Sequence, residues 1–455
     1  MRVLVGLDDH DSPRGGCTTH FSTLFIQALL KGKVKGKLLD LPRLVRLNPA
    51  IPWKTRGNAA IALVVEADDV KDLFDFLVNF TDEYDREYSK GKNYGRQPSV
   101  VVVPIEDDRM LFPRLRELYE KGVSDVLLKD VVVKVLAKVS ALFSVNRGVI
   151  GSAAALGFNP LEGFTYELLV YRDVAKERPD LSDVIRRLEE RYFPGLFHNY
   201  NYVKNNPIAL PHGPDPVLLG LRGVNLTALL EAYKTLAQEV KEFTTGSMLF
   251  VTNQHTGSHI KALRPTAYRN VRIAGVVVSK DVRPGGDVSL EVMEGESRTF
   301  FTAFVFSESG TLSKAAQELV KGDVIDLEGS VKPSATYGTV IEVEAFTPLK
   351  LVSEVLRNPT CPRCGGSAES LGRGKGFRCR KCGFRFKGEK IAQPISRGLT
   401  LTRYVSERPR HLTKFDYLEP LRIDTSQYAS LVNVLMSVES TGQELTSVSS
   451  HEIKL

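Results

Sequence analysis

A strand that runs directly into an acid-rich, glycine-rich loop and then into a helix leaves a chain few options. This chain begins that way, with MRVLVGLDDHDSPRGGCTTHFSTLF. Arg2 to Leu7 alternates and ends in an apolar run, which predicts a short buried strand. Three carboxylates follow in four positions, Asp8, Asp9 and Asp11, and then come Gly15, Gly16, Cys17, Thr18, Thr19 and His20. Phe21, Leu24, Phe25 and Leu29 have helical spacing, so a helix is predicted from about His20. Carboxylates at the C-terminal end of a strand lie where an α/β sheet places its chemistry. Asp8, Asp9 and Asp11 are candidate ligands for Mg²⁺, which takes one or two carboxylates and leaves room for phosphate oxygens. Gly15 and Gly16 let backbone N–H groups approach an anion. The hydroxyls of Thr18 and Thr19 can bind a phosphate or accept one. An acidic turn before an N-capped helix draws on the same residue types. The density of carboxylates, glycines and hydroxyls in these thirteen residues favours a site. It is neither a P-loop, since GxxxxGK[ST] is absent, nor a protein-kinase glycine loop.

GLDDHDSPRGGCTTH resembles the N-terminal signature of the archaeal tRNA(Ile) 2-agmatinylcytidine synthetases, and the order of domains read below extends the resemblance to nearly the whole chain. The resemblance implies an ATP-dependent ligase that attaches agmatine to C2 of the wobble cytidine of an isoleucine tRNA with a CAU anticodon. The AUG-reading anticodon then reads AUA. It also implies an N-terminal kinase-like domain whose threonine becomes phosphorylated; the matching position is Thr18. Asp8, Asp9 and Asp11 match the motif's aspartates and join Thr18 as candidate catalytic residues. Ser12, Gly15, Gly16, Cys17, Thr19 and His20 are the candidate ATP-binding residues of the same loop.

The chain has 455 residues, enough for three or four domains at roughly 100–200 residues each. No run of ~18 apolar residues occurs and the N-terminus lacks a signal-peptide pattern, so a cytoplasmic protein with no membrane span is expected. Four of the five cysteines form two CxxC pairs, which reads as metal ligation in a reducing compartment. The formal net charge of +7 is uneven: Arg357 to Arg422 carries 16 Lys/Arg and 5 Asp/Glu, or +11, leaving −4 elsewhere. A basic C-terminal third suits a polyanion docked at one end, or is an ordinary basic surface.

The predicted architecture is multidomain, α/β and α+β. Residues 1–157 read as an ATP-binding, kinase-like α/β domain, with strands over Ala59–Val65 and Ser99–Ile105 and helices over Val70–Phe80 and Leu111–Tyr119. Lys54, Arg56 and Asn58 enter one strand, facing phosphates or forming a basic turn. Arg147–Phe158 reads as a tightly packed helix start or a phosphate-facing loop. Residues 158–265 follow the β-α-β-β-α-β order of a ferredoxin-like domain, with strands over Phe164–Tyr171, Phe197–Val203, Pro216–Leu221 and Ser247–Thr252. Its polar loops carry His212, Asp215 and Arg222, and Asn253, Gln254, His255 and His259. Glu167 and Asp215 are candidate partners for agmatine's guanidinium, or surface carboxylates. Residues 266–352 give five strands with a helix after the third, the order of a nucleic-acid-binding OB-fold. Cys361, Cys364, Cys379 and Cys382, two CxxC pairs fourteen residues apart within 353–392, predict a Cys₄ ribbon holding structural Zn²⁺. In the tail, 393–455, a strand is expected over Thr400–Tyr404 and a helix over Leu431–Val438.

The mechanism implied needs ATP, Mg²⁺ and an unstacked base: ATP converts the poor leaving oxygen at cytosine C2 into a phosphate ester, which the amine displaces. Two alternatives are a non-catalytic OB-fold and zinc-ribbon RNA-binding protein, and another ATP-dependent nucleic-acid-modifying enzyme. Simple RNA binding does not need the loop from Asp8 to Thr19. No protein partner is evident from the sequence.

Overall fold

The computed structural model describes residues 1–415, except 55–56, 106–107, 203, 209, 212, 263, 295–298, 373, 409 and 411. The Leu431–Val438 helix and the side chains of Arg56, His212 and Arg373 therefore lie outside the described residues. The chain divides into two compact units, one of Met1–Val271 with Ser330–Pro333 and Glu407–Leu455, the other of Arg272–Gly329 with Ser334–Ser406.

The first unit is built on one nine-stranded sheet. Its order is Val217–Gly223, Thr165–Arg172, Thr244–Thr252, Arg43–Arg46, Ala59–Ala67, Arg2–Asp8, Ser99–Pro104 and Leu142–Phe143, with Gly36–Leu38 also pairing Ala59–Ala67. The layers are those of the α/β expectation. The pairing is antiparallel, except where Val251 and Thr252 run parallel to Arg43 and Leu44. That junction makes one continuous sheet of the regions 1–157 and 158–265. The first strand is central because it is apolar on both faces: Val3, Val5 and Leu7 are fully buried and Leu4 nearly so. Helix Val149–Leu156, of small residues, packs on it. A Cβ at Gly6 would sit 2.2 Å from the Ser152 carbonyl oxygen, so only glycine allows this approach. The Arg147–Phe158 run is thus the packed helix of the two options.

The strand expected over Phe197–Val203 is a correction. Only Tyr200–Asn201 is extended, and it pairs with Asn206–Pro207 in a separate hairpin. Beside the sheet edge, the ladder shrinks to a bridge between Leu196 and Gly223. The Asn199 side chain takes over strand pairing, accepting from Arg222 N at 2.7 Å and donating to Arg222 O at 3.0 Å. A side-chain amide satisfying both backbone groups ends the need for a fourth strand. Helix boundaries also moved: Val70–Tyr84 runs one turn beyond expectation, and the first helix begins at Thr18.

In the second unit, strands Asn270–Val282, Val288–Glu294, Phe300–Val305, Val324–Ser334 and Gly338–Lys350 form a five-stranded barrel. It closes where Thr302–Phe304 runs parallel to Val340–Glu342. Helix Thr311–Glu318 lies between the third and fourth strands. The expected strand over Thr400–Tyr404 is shorter, Tyr404–Val405, because Thr400–Arg403 form a turn in which Thr400 N donates to the Tyr404 hydroxyl. The ribbon has strands Ala368–Ser370, Phe377–Cys379 and Arg385–Phe386. Among the described residues no helix is long and apolar enough to cross a membrane.

Candidate active site and metal centre

The acidic loop leaves the central strand at Asp8. Asp9 takes a left-handed φ of 64°, a conformation costing a non-glycine residue about 1–3 kcal/mol. Two bonds hold it: Asp9 N donates to Asp8 Oδ1 and Gln97 N to Asp9 Oδ2, both at 2.7 Å. Arg147 lies 3.7 Å from the Asp9 carboxylate. Burial, reinforced by Asp9, holds the Asp8 carboxyl well above the usual carboxylate range. Burial also raises Asp9, and nearby Asp11 adds to the shift. Carboxylates that raise each other's proton affinity are the donor set a divalent cation neutralises. The chemistry of the loop therefore fits Mg²⁺.

The rest of the loop is braced by the segment 81–97. His10 stacks on Phe21 with centroids 3.9 Å apart, and its Nε2 lies 3.2 Å from the Thr81 hydroxyl. Burial keeps it neutral, its pKa pushed down to about 3. Its backbone N–H donates to Thr18 Oγ1 at 3.3 Å. The Tyr84 hydroxyl accepts from Cys17 N at 3.0 Å, donates to Cys17 O at 3.2 Å and meets His20 Nδ1 at 3.0 Å. Ser12 Oγ donates to Ser89 O. Gly15 and Gly16 answer to packing: a Cβ would sit 2.9 Å from Tyr88 O at the first and 2.7 Å from His10 O at the second. Gly15 N turns back to Ser12 O. Ser12, Gly15, Gly16 and His20 are thus engaged with the brace.

The remaining candidates divide between two clefts. Asp8 and Asp9 line one of about 200 Å³, with Lys54, Asn58, Arg147 and Gly151. At its lip Trp53, 63% exposed, lies 5.7 Å from the Tyr268 ring. Asp11, Cys17, Thr18 and Thr19 line the second, of about 220 Å³, with Arg46, Asn58, Glu167, Asp215 and Arg222. Glu167 is committed to arginines: Arg46 Nη2 donates to Oε2 at 2.8 Å and Arg222 Nε lies 3.8 Å from Oε1. Burial pushes the Glu167 carboxyl up, but Arg46 and Arg222 outweigh it and hold it below its ordinary value. Asp215 Oδ1 accepts from Val217 N at 2.9 Å. Arg46, Trp53 and Tyr84 escaped the sequence reading. Tyr84 lies four residues after Phe80, so carrying the helical face one turn further would have found it. Arg46 and Trp53 offer no local signal.

In the ribbon, the four Sγ atoms lie within 4.8 Å of one another, with Cys364–Cys379, Cys364–Cys382 and Cys361–Cys382 at 3.5, 3.4 and 3.7 Å. A tetrahedral site with Zn–S ≈ 2.3 Å needs sulfurs about 3.8 Å apart, so the thiols fit. Each CxxC turn closes by a glycine N–H, Gly365 to Cys361 O and Gly383 to Cys379 O, with φ of 69° and 73°. Lys375, Arg378, Arg380, Lys381, Arg385 and Lys387 surround it, exposed.

A carboxylate loop between two clefts, with a barrel and a basic four-cysteine ribbon in the other unit, defines a multidomain enzyme that joins phosphoryl chemistry to a metal-stabilised module. The chain matches three family descriptions: the TiaS TCKD domain over residues 4–71, the TiaS FLD domain over 146–259 and the TiaS C-terminal zinc ribbon domain over 358–399. It is 38% identical to the tRNA(Ile) 2-agmatinylcytidine synthetase TiaS of Saccharolobus islandicus, over 91% of this chain and 92% of that protein. Two solved structures are similar over 93% of this chain and 99% of theirs: a TiaS–tRNA–ATP complex, 31% identical with a TM-score of 0.76, and a TiaS–tRNA–AMPCPP–agmatine complex, 30% identical with 0.74. The chain belongs to the tRNA(Ile) 2-agmatinylcytidine synthetase family.

Proposed function

We infer that this chain is an ATP-dependent ligase that conjugates agmatine to C2 of the wobble cytidine of the isoleucine tRNA with a CAU anticodon. The observation that carries this is the family match over 91% of the chain. Its ribbon binds zinc, and its substrates are ATP, agmatine and the tRNA. A cytoplasmic location belongs to the same reading, since tRNA is the substrate.

The two clefts suggest a division of labour. Asp8, Asp9 and Asp11 would hold Mg²⁺, which supplies charge neutralisation between phosphate oxygens. Lys54 and Arg147 would face the ATP phosphates and Trp53 would stack the nucleotide's base. Across the loop, Thr18 and Thr19 face the second cleft, where the unstacked cytosine and agmatine would meet. Asp215 is the stronger candidate for agmatine's guanidinium, because Glu167 is already spent on Arg46 and Arg222. The loop residues Ser12, Gly15, Gly16, Cys17 and His20 would act by fixing the positions of Asp11 and Thr18. The cytosine O2 takes a phosphoryl group, and agmatine's amine then displaces it as phosphate. The domain reading that supports this is 1–157 kinase-like, 158–265 ferredoxin-like with its second strand reduced, 266–352 OB-fold, 353–392 ribbon and 393–455 tail.

The test is nucleoside mass spectrometry of the isoleucine tRNA after incubation with the protein, ATP and agmatine. Product should require all three. Trp53 is the chain's one tryptophan, so ATP should change its fluorescence if the nucleotide lies in the first cleft. An unchanged signal with saturating ATP would move the nucleotide elsewhere.

A further inference from the structure

We propose that Arg46 is a catalytic residue, whose Nη1 amino group receives the phosphoryl group that the reaction places on cytosine O2 and then expels. The proposal rests on reading the Asp8–Thr18 loop as the phosphoryl-transfer centre.

Arg46 is held more completely than a structural arginine needs. Its backbone N–H donates to Asn253 Oδ1 at 2.8 Å, and its carbonyl accepts from Asn253 Nδ2 at 2.9 Å and pairs with His259 Nε2 at 2.8 Å. Nε donates to Gln254 Oε1 at 3.0 Å and Nη2 to Glu167 Oε2 at 2.8 Å. The polar loop TNQHTGSH thus spends three side chains on one residue. Nη1 remains, pointed past Gly57, where an added Cβ would come within 2.7 Å of it. Gly57 keeps that side open. Arg46 and Gly57 line the same cleft as Asp11, Thr18 and Thr19.

Charge points the same way. Glu167 faces two guanidiniums, Arg46 and Arg222, so the trio carries a surplus positive charge on the cleft wall. A fixed guanidinium with a pair of N–H donors matches phosphoryl oxygens and needs no reorganisation as charge develops. In the first step, cytosine O2 bonds to phosphorus and the bridging P–O bond of ATP breaks, its electron pair leaving on the nucleotide. In the second, the amine's electron pair forms the C2–N bond, the C2–O pair leaves on phosphate, and the nitrogen's proton passes to water. Arg46 would neutralise the same phosphoryl oxygens in both. Asn253, Gln254 and His259 are positioning residues for it.

The experiment is steady-state kinetics of the full-length Arg46→Gln and Arg46→Lys variants with the isoleucine tRNA, together with inhibition by inorganic phosphate. Arg46→Gln should lose about 10²–10³ in kcat, as removal of a preorganised oxyanion donor does. KM for agmatine should stay within about threefold, because ground-state binding is untouched. Inhibition by phosphate should weaken in parallel. Arg46→Lys should fall roughly tenfold, since one ammonium cannot serve Glu167 and a phosphoryl group with a guanidinium's fork. The lysine variant decides the matter if the glutamine variant does not fold. Wild-type kcat and phosphate inhibition in Arg46→Lys would overturn the proposal, as would an Arg46→Gln loss lying wholly in KM. Asp11→Asn run beside them separates the two levels. Full activity there removes the loop as the centre, whereas an inactive Asp11→Asn with an unaffected Arg46→Lys removes Arg46 alone.

Discussion

The chain holds its two chemical centres in opposite ways. The four thiols of the ribbon all fall between Cys361 and Cys382, on strands of two or three residues with little core. Local turns and a metal must hold that centre together. The centre in the first unit gathers Asp11, Thr18, Arg46, Glu167, Asp215 and Arg222 from across more than two hundred residues. A nine-stranded sheet with a fully buried central strand fixes them. A site held by metal can be dismantled without harming the rest, and a site held by a core cannot.

The largest effect should come from the core-held centre. Asp9→Asn and Asp11→Asn are each expected to cut product formation by on the order of 10³, the scale of losing metal and phosphate positioning. Zinc content, read by atomic absorption, should not change. A drop in zinc would mean that the two centres are not separable.

Zinc removal is the converse. Chelation should melt the ribbon and weaken tRNA binding while ATP-dependent labelling of Thr18 persists. Replacing the exposed Arg378, Lys381 and Lys387 by alanine should leave the ribbon folded and lower the slope of log K against log salt by about 0.9 for each phosphate no longer neutralised. An unchanged slope across a salt series would show that the tRNA docks elsewhere.

The same contrast explains what was legible in the sequence. The ribbon could be read completely because its ligands are neighbours along the chain. The barrel's five strands and their helix were legible because alternation and glycine turns are local signals. The acidic loop could be found, but the orientation of its members could not. Gly15 and Gly16 looked like an anion cradle, yet the close approach of Tyr88 and His10 dictates them. Arg46 was invisible because its meaning lies in Asn253, Gln254 and Glu167. The strand over Phe197–Val203 failed because its alternating aromatics met a side chain, Asn199, that replaced the ladder.

Acid should separate the units by a smaller margin. Burial pushes His10 down to about 3, and His20 and His259 to about 4, from an ordinary 6.5. Depressed values mean the stability they give is present above pH ~6.5 and lost as pH falls toward 4. Asp8 and Asp9, raised by burial, act in the opposite sense, giving stability at low pH that fades as pH rises through their values. The barrel and ribbon, residues 272–329 and 334–406, contain no histidine. Hydrogen exchange at pH 5 against pH 7, corrected for intrinsic rates, should show protection falling in the nine-stranded sheet more than in the barrel. Equal loss in both would break this part of the comparison.

The smallest effect tests the brace. Tyr84→Phe removes the hydroxyl that grips both backbone groups of Cys17. At about 1 kcal/mol for such a bond, kcat should fall roughly fivefold, with tRNA affinity unchanged. An unaltered kcat would show that the loop holds its shape without Tyr84.

The most direct measurement is the mass of the wobble nucleoside of the isoleucine tRNA after reaction with ATP and agmatine, using the intact protein and Asp9→Asn side by side. The intact protein should convert cytidine to its agmatine adduct only when ATP is present, and Asp9→Asn should leave it as cytidine while still binding the tRNA. An adduct formed by Asp9→Asn at the normal rate, or by the intact protein without ATP, would contradict phosphoryl transfer at the acidic loop.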